Sequence, residues 1–419
     1  MKNRIFIGIS ETSGFYGRLY CGLKDNGVDC FFSELIPNKH NYKYKYKTGN
    51  IITNLCKYYY DRNWIVYYIL KSIIFLWALF RYDTFVFTAC ESFWNNRELW
   101  IYRILKKKTI MICLGRITRL AYANGTDVDT RSLRNGENFN INYIVRQVEE
   151  RKHTVERIEQ YVDVFINLPA QAQLNEKPFV SLAYIGIPLD LDDREIENKE
   201  KKNGNETVKI LHAASTVGCR GTIQFRKCIE ELRKEYEIEY VEITKVPNEV
   251  VIEKIRECDF VLDELWSDTP LATFASEAAY FAKPTIVCGY FSKEYKKYYP
   301  EWSFPPSMYV APSELKNSIR FLIEHPKERK ELGRTAQEFV KKYMDCRSVA
   351  RRFMEVVDGN IDSKWIVDPL NIGYLEGYGI DKEIQNKLIK ELYSKCGMGK
   401  MGVAHNDLLK QQIEDIVNE

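Results

Sequence analysis

The sequence predicts an α/β protein made of two doubly wound, Rossmann-like domains joined by one linker and followed by a helical extension. Three observations carry this. The chain has 419 residues, about twice the length of a usual single domain. Short apolar runs alternate with amphipathic ones in two separate series, which is how parallel sheets with crossover helices are written in sequence. A polar stretch, DDREIENKEKKNGNET, parts the two series. The expected boundaries are 1–190, a linker at 191–206, a second domain at 207–358, and an extension at 359–419.

In order, RIFIGIS reads as a first strand, ETSGFYGR as a glycine-bearing loop, LYCGLKDNG as a helix closed by Asn-Gly, and VDCFFSEL as a second strand. TFVFTA and KTIMICLG follow as strands on either side of a helical stretch, FWNNRELWIYRILKK. A charged helix around VRQVEERKHTVERIEQYV leads to the buried strand DVFINLP, and LAYIGIPLDL ends the first series. The second series begins with VKILHAA, IEYVEIT, FVLDEL and PTIVCGY as strands. Between them lie helices at GTIQFRKCIEELRKEY, NEVVIEKIRECD and LATFASEAAYFA. NIGYLEGYG reads as a turn-rich joint before the amphipathic helix DKEIQNKLIKELYSKCG.

Composition narrows the function classes. Hydrophobic residues make up 45% and charged residues 28%, as in a soluble globular protein. The N-terminus reads as opening directly on a strand, without the expected pattern of a signal peptide, and the eleven cysteines form no CxxC pair. They read as reduced thiols in a cytoplasmic protein, and five scattered histidines give no metal site. Residues 1–190 hold 26 Lys and Arg against 18 Asp and Glu, a net +8, which leaves −5 for the rest of a chain whose total is +3. That asymmetry makes an anionic membrane surface a candidate partner, whereas no nucleic-acid module is visible. The 17-residue apolar run from Trp64 to Phe80 sits at the low edge for a membrane crossing and has Lys71 in its middle. It reads as a buried or membrane-grazing helix at the periphery of the inner face. YKYKYK, with Lys39 nearby, reads either as a basic aromatic rim or as a solvated loop.

Ligands of doubly wound sheets bind beyond the carboxyl ends of the strands, so the expected site is a crevice bounded by those ends of both sheets. Three segments follow strands there. The loop after the first strand holds Gly14, Phe15, Tyr16 and Gly17, where glycines let the backbone approach a ligand and the next helix offers N–H groups to an anion. The turn after VKILHAA holds Ser215, Arg220 and Gly221, a cation and backbone donors at a helix start. The third runs through Asp268 and Thr269 into a helix of small apolar residues that carries Glu277, a carboxylate that needs a polar partner.

HAASTVGCRGT, TKVPNEVVIEKIRECDFVLDEL and SEAAYFAKPTIV, in that order, resemble the donor domain of group 1 glycosyltransferases with the GT-B fold. The resemblance is close over roughly Val208 to Val287 and looser through the first domain. It implies that Arg220 contacts a donor diphosphate, that Val246 and Pro247 line the base, and that Glu277 holds the ribose. The first acid of the family's paired-acid motif falls on Thr269, with Asp268 one place off. The upstream cation falls on Val217, and the family's N-domain His turn is replaced by Leu114 to Ile117, where Arg116 and Arg119 add cations.

The resemblance therefore implies transfer of a sugar from a nucleotide-sugar to a carbohydrate or lipid-linked acceptor. Configuration would be retained without a metal or other cofactor, and cell-surface polysaccharide synthesis is the expected setting. Two alternatives remain open at this point: a non-catalytic GT-B subunit that supports a partner transferase, and a nucleotide-sugar epimerase.

Overall fold

The computed structural model describes residues 3–38, 42–128, 138–190, 207–214 and 217–419. The expected linker at 191–206, Lys39 and Ser215 lie outside them. The chain forms two compact units, one of Met1–Thr118, Glu150–Asp190 and Met344–Pro369, the other of Arg119–Glu149, Leu191–Tyr343 and Leu370–Glu419.

The first unit is built on β1 (Ile5–Ile9), β2 (Cys30–Glu34), β3 (Thr84–Thr88), β4 (Lys108–Ile112), β5 (Val164–Asn167) and β6 (Phe179–Ser181). Its sheet runs β6-β5-β4-β3-β1-β2, all parallel, with Ile366–Val367 added antiparallel to β6 at the edge. β1 is buried along its whole length, as a strand covered on both faces must be. Between the strands lie α1 (Phe15–Asp25), α2 (Ile51–Tyr59), α3 (Trp64–Arg81) and α4 (Leu99–Ile104). α1 buries Phe15, Tyr16, Leu19, Tyr20 and Leu23, the spacing of one helical face.

Two expectations change here. The stretch FWNNRELWIYRILKK is helical only at Leu99–Ile104, because Asn95 and Asn96 hold left-handed φ values of 51° and 67° that a helix cannot continue through. Cys90 and Cys113, which follow neighbouring strands β3 and β4, are joined as a disulfide with Cα atoms 5.1 Å apart. The other nine cysteines are free thiols, eight of them buried.

The chain also returns to the first unit after the second. The helix Cys346–Asp358 lies against α1 so closely that a Cβ at Gly22 would stand 2.0 Å from the Cys346 carbonyl oxygen. The expected boundary at 358 thus falls at the end of a helix that belongs with the first unit. Residues 119–149 depart the other way, and group with the second.

The second unit's sheet is β11-β10-β9-β7-β8, again all parallel. Its strands are β7 (Val208–Ala214), β8 (Ile238–Thr244), β9 (Phe260–Leu262), β10 (Thr285–Cys288) and β11 (Met308–Val310). Helices at Thr222–Leu232, Asn248–Glu257 and Thr273–Tyr280 cross between the first four strands. Phe225, Ile229 and Leu232 from the first of these close one core cluster over Ile210, Phe260 and Ile286, and Leu211, Ile255, Val261 and Ala278 form a second. The segment after Leu370 carries helices at Lys382–Cys396 and Asp407–Asn418.

Candidate functional site

In the second unit the connections from β7 to β8 and from β9 to β10 run in opposite directions along the sheet, so the topology switches between neighbours β7 and β9. A crevice opens at such a point beyond the carboxyl ends. The turns that flank it are the one after β7, ending at Gly221, and the one after β9, from Asp263 onward.

Gly221 has φ 77° and precedes the helix Thr222–Leu232, and a Cβ there would lie 2.2 Å from that of Leu265. Only glycine satisfies both demands. This close approach lets Leu265 N–H donate to the Arg220 carbonyl at 3.2 Å. Arg220 itself is ion-paired across the switch point with the buried Glu264. A guanidinium has five donors, so this pairing leaves capacity for a bound oxyanion.

Next to it, Asp263 is buried with its Oδ2 lacking a hydrogen-bond partner among the described residues. Burial pushes its carboxyl up to about 6, against the opposing pull of Arg220. His212, fully buried on β7, braces the same turns. Its Nδ1 lies 2.9 Å from the Leu262 carbonyl, which can only accept, so Nδ1 carries the proton and Nε2 accepts the Thr222 hydroxyl, also at 2.9 Å. Burial lowers its pKa to about 4, which keeps the ring neutral.

Glu277 sits in the helix Thr273–Tyr280, 5% exposed. Both its oxygens receive the Asn248 side-chain amide, at 3.2 and 3.1 Å. Asn248 opens its helix directly after Pro247, so the structure brings Glu277 to the Val246–Pro247 turn that follows β8. One polar partner of this carboxylate among alanines is therefore the amide of the residue that follows that turn. Val246 is half-buried and Pro247 exposed.

Asp268 and Thr269 are held differently. Asp268 is buried and accepts from Arg119 Nε at 2.7 Å, while the Thr269 hydroxyl donates to its other oxygen at 3.2 Å. Arg119, counted from sequence as a first-domain cation, thus belongs to the second unit and pairs with Asp268. Arg116 stays in the first unit, exposed in a short turn after β4.

The segment expected as a turn-rich joint proves to be a strap over these turns. The Tyr378 ring lies 4.4 Å from the Arg119 guanidinium and 5.7 Å from that of Arg220. Gly379 N–H donates to the Trp266 carbonyl at 3.0 Å, and Tyr378 N–H to that of Ala123 at 3.0 Å. Asp263, Glu264, His212 and Tyr378 escaped sequence reading. The DE pair at the end of FVLDEL was the one available signal.

The glycine loop of the first unit is occupied from within the chain. Gly17 N–H and Tyr16 N–H donate to the Glu11 carboxylate at 2.8 and 3.3 Å, so the chain supplies its own anion at the start of α1. A Cβ at Gly17 would lie 2.2 Å from the Tyr44 ring, and Gly14, at φ 76°, is 3.1 Å from Tyr42 by the same measure. The glycines make room for aromatic side chains of YKYKYK. Phe15 is buried, and the Tyr16 hydroxyl donates to the Ile112 carbonyl at 3.0 Å and accepts from Ala89 N–H at 2.8 Å. Tyr44 donates to Glu11 at 2.8 Å and Tyr46 to Asp25 at 2.6 Å, so the tyrosines of that segment are tied to the unit while Lys43, Lys45 and Lys47 stay exposed.

No protein-family model matches the sequence, and no curated protein matches it. Solved structures do match. The catalytic domain of starch synthase IV from Arabidopsis thaliana, bound to ADP and acarbose, is 10% identical with a TM-score of 0.50, covering 86% of this chain and 99% of that one. HepE of Anabaena, in complex with UDP and glucose, is 12% identical with a TM-score of 0.48, covering 86% and 100%. The spinosyn rhamnosyltransferase SpnG is 8% identical with a TM-score of 0.42, covering 84% and 100%. At such identity the likeness is one of fold. The chain has the α/β architecture of GT-B structures, with two parallel Rossmann-like sheets.

Proposed function

We propose that this chain is a glycosyltransferase that binds a nucleotide-sugar at the carboxyl edge of its second sheet and passes the sugar to a hydroxyl of a carbohydrate or lipid-linked acceptor. The observation that carries the reading is the pairing of Arg220 with Gly221 at a helix start beside the β7/β9 switch point, in a fold that starch synthase IV shares and in which it was solved with ADP.

In this reading the diphosphate lies against Arg220 and the first N–H groups of Thr222–Leu232, the base against Val246 and Pro247, and the ribose hydroxyls donate to Glu277 in place of the Asn248 amide. The bond from the anomeric carbon to the diphosphate oxygen breaks as the acceptor oxygen bonds to that carbon. The acceptor's proton goes to the departing diphosphate, whose charge Arg220 stabilises, so that retention needs neither a placed base nor a metal. Cell-surface polysaccharide synthesis remains the proposed setting.

A melting-temperature screen of UDP-, ADP- and GDP-sugars tests this, since a ligand that binds only the native state raises melting in step with its affinity. One nucleotide-sugar should shift the wild type, with binding at least about tenfold weaker in Arg220→Ala and in Glu277→Ala. No shift with any of them would remove the proposal. A second reading has its own support: Arg220 is already ion-paired with Glu264 and Asp268 with Arg119, and Tyr378 lies over both guanidinium groups, which suits a non-catalytic subunit. Turnover by the purified chain alone separates the two, and product analysis with donor alone separates both from an epimerase.

A further inference from the structure

We infer that the first unit docks on an anionic lipid bilayer through the outer face of α3, which lies along the membrane surface and does not cross it.

α3 has 18 residues, a length of about 27 Å, and it is apolar enough to pass for a membrane span. Its inner face, Tyr67, Lys71, Ile74, Phe75, Ala78 and Leu79, is buried in the unit. Phe75 alone meets the rings of Phe93, Trp94 and Tyr102 at 5.3, 4.6 and 6.0 Å. A helix anchored in this way, and continuing at once into central strand β3, cannot leave the unit to span a bilayer.

The outer face is the unusual one. Trp64, Ile65, Tyr68, Ile69, Ile73, Leu76, Trp77 and Phe80 recur at helical spacing and are all exposed, Phe80 by 85%. The only two charges of the helix are Lys71, on the inner face, and Arg81, at its end. The neighbouring helices add Ile51, Leu55 and Tyr58 from α2 and Trp100 and Ile104 from α4, likewise exposed. Soluble surfaces rarely carry so large an apolar patch without a partner.

Charge selects which partner. Apart from the buried Lys71, the stretch from Tyr42 to Arg81 holds six cations, Lys43, Lys45, Lys47, Lys57, Arg62 and Arg81, against one acid, Asp61, and of these Lys45, Lys57 and Arg81 pair with Asp25, Glu34 and Asp29. An apolar helix face set with Trp and Tyr and flanked by Lys and Arg is the pattern of an interfacial helix on anionic lipid. A second copy of this chain would bring cation against cation.

Flotation with vesicles of phosphatidylcholine, with and without phosphatidylglycerol, tests this on the full chain. Expected are binding to the anionic vesicles at low salt, weakening as salt rises, a blue shift of tryptophan emission on adding them, and binding at least roughly tenfold weaker in Ile69→Glu/Phe80→Glu. Both positions are solvent-exposed, so the variant should melt as the wild type does. Absence of both flotation and emission shift in the wild type overturns the inference, as does equal binding by the folded variant. A lipid-free dimer that the same substitutions dissolve would also overturn it, by assigning the face to self-association. None of these outcomes depends on nucleotide-sugar binding, which resides in the second unit.

Discussion

Two buried groups beside the β7/β9 switch point respond to pH in opposite senses. Asp263 titrates near 6 when folded and 3.8 when unfolded, so its stabilising contribution is full below 3.8 and is lost as pH rises through 6. The loss is about 3 kcal/mol. His212 titrates near 4 when folded and 6.5 when unfolded. Its contribution is full above 6.5 and is lost as pH falls through 4, again by about 3 kcal/mol. In the wild type the two largely offset each other between those limits. Asp263→Asn should therefore melt higher than wild type at pH 7.5 and gain nothing at pH 4, while His212→Gln should lose ground at pH 7.5 and recover it at pH 4. Melting curves that stay parallel across that range in all three proteins would contradict both assignments. A buried carboxyl whose Oδ2 has no hydrogen-bond partner among the described residues is the kind of group a ligand site retains, so the stabilised Asp263→Asn should also be tested for donor binding.

Elements were legible where periodicity alone decides them, and the contacts of the candidate site were not. Four of the second unit's five parallel strands and its three crossover helices stand where VKILHAA, IEYVEIT, FVLDEL and PTIVCGY placed them, because alternation and burial on both faces leave a direct trace in sequence, whereas β11 had no expectation. Contacts between residues distant in sequence leave none. Nothing in ETSGFYGR announces that Glu11 occupies the start of α1 or that Tyr44 fills the notch left by Gly17, 27 residues of chain away. Likewise the Arg119–Asp268 pair joins segments that the sequence assigned to different domains. The loop itself is testable. Burial raises the Glu11 carboxyl to about 7, while the N–H groups of Gly17 and Tyr16 and the Tyr44 hydroxyl hold it down. Glu11→Ala removes the cap and leaves three donors unanswered, so it should lower stability by about 1–2 kcal/mol in chemical denaturation. A neutral result would mean that another anion takes the place, which would restore the ligand-binding reading of this loop.

At the scale of the whole molecule the chain is not two beads in series, because its path returns to the first unit through Met344–Pro369. The returning helix Cys346–Asp358 buries Val349, Ala350, Phe353, Val356 and Val357, and Lys108 donates to the carbonyl of Val357 at 2.6 Å. Folding of the first unit therefore depends on residues synthesised after the second, and the contact concentrates at Gly22, where any side chain meets backbone. Gly22→Val must push the two helices apart and should cost about 1–3 kcal/mol, an overpacking penalty. The proposed donor site is built on residues of the other unit. The variant should accordingly melt earlier and yet bind a nucleotide-sugar with unchanged affinity, measured by calorimetry well below its melting temperature. Loss of donor affinity in proportion to the lost stability would show that the two units share one cooperative transition, and that substitutions in the first cannot be read as local.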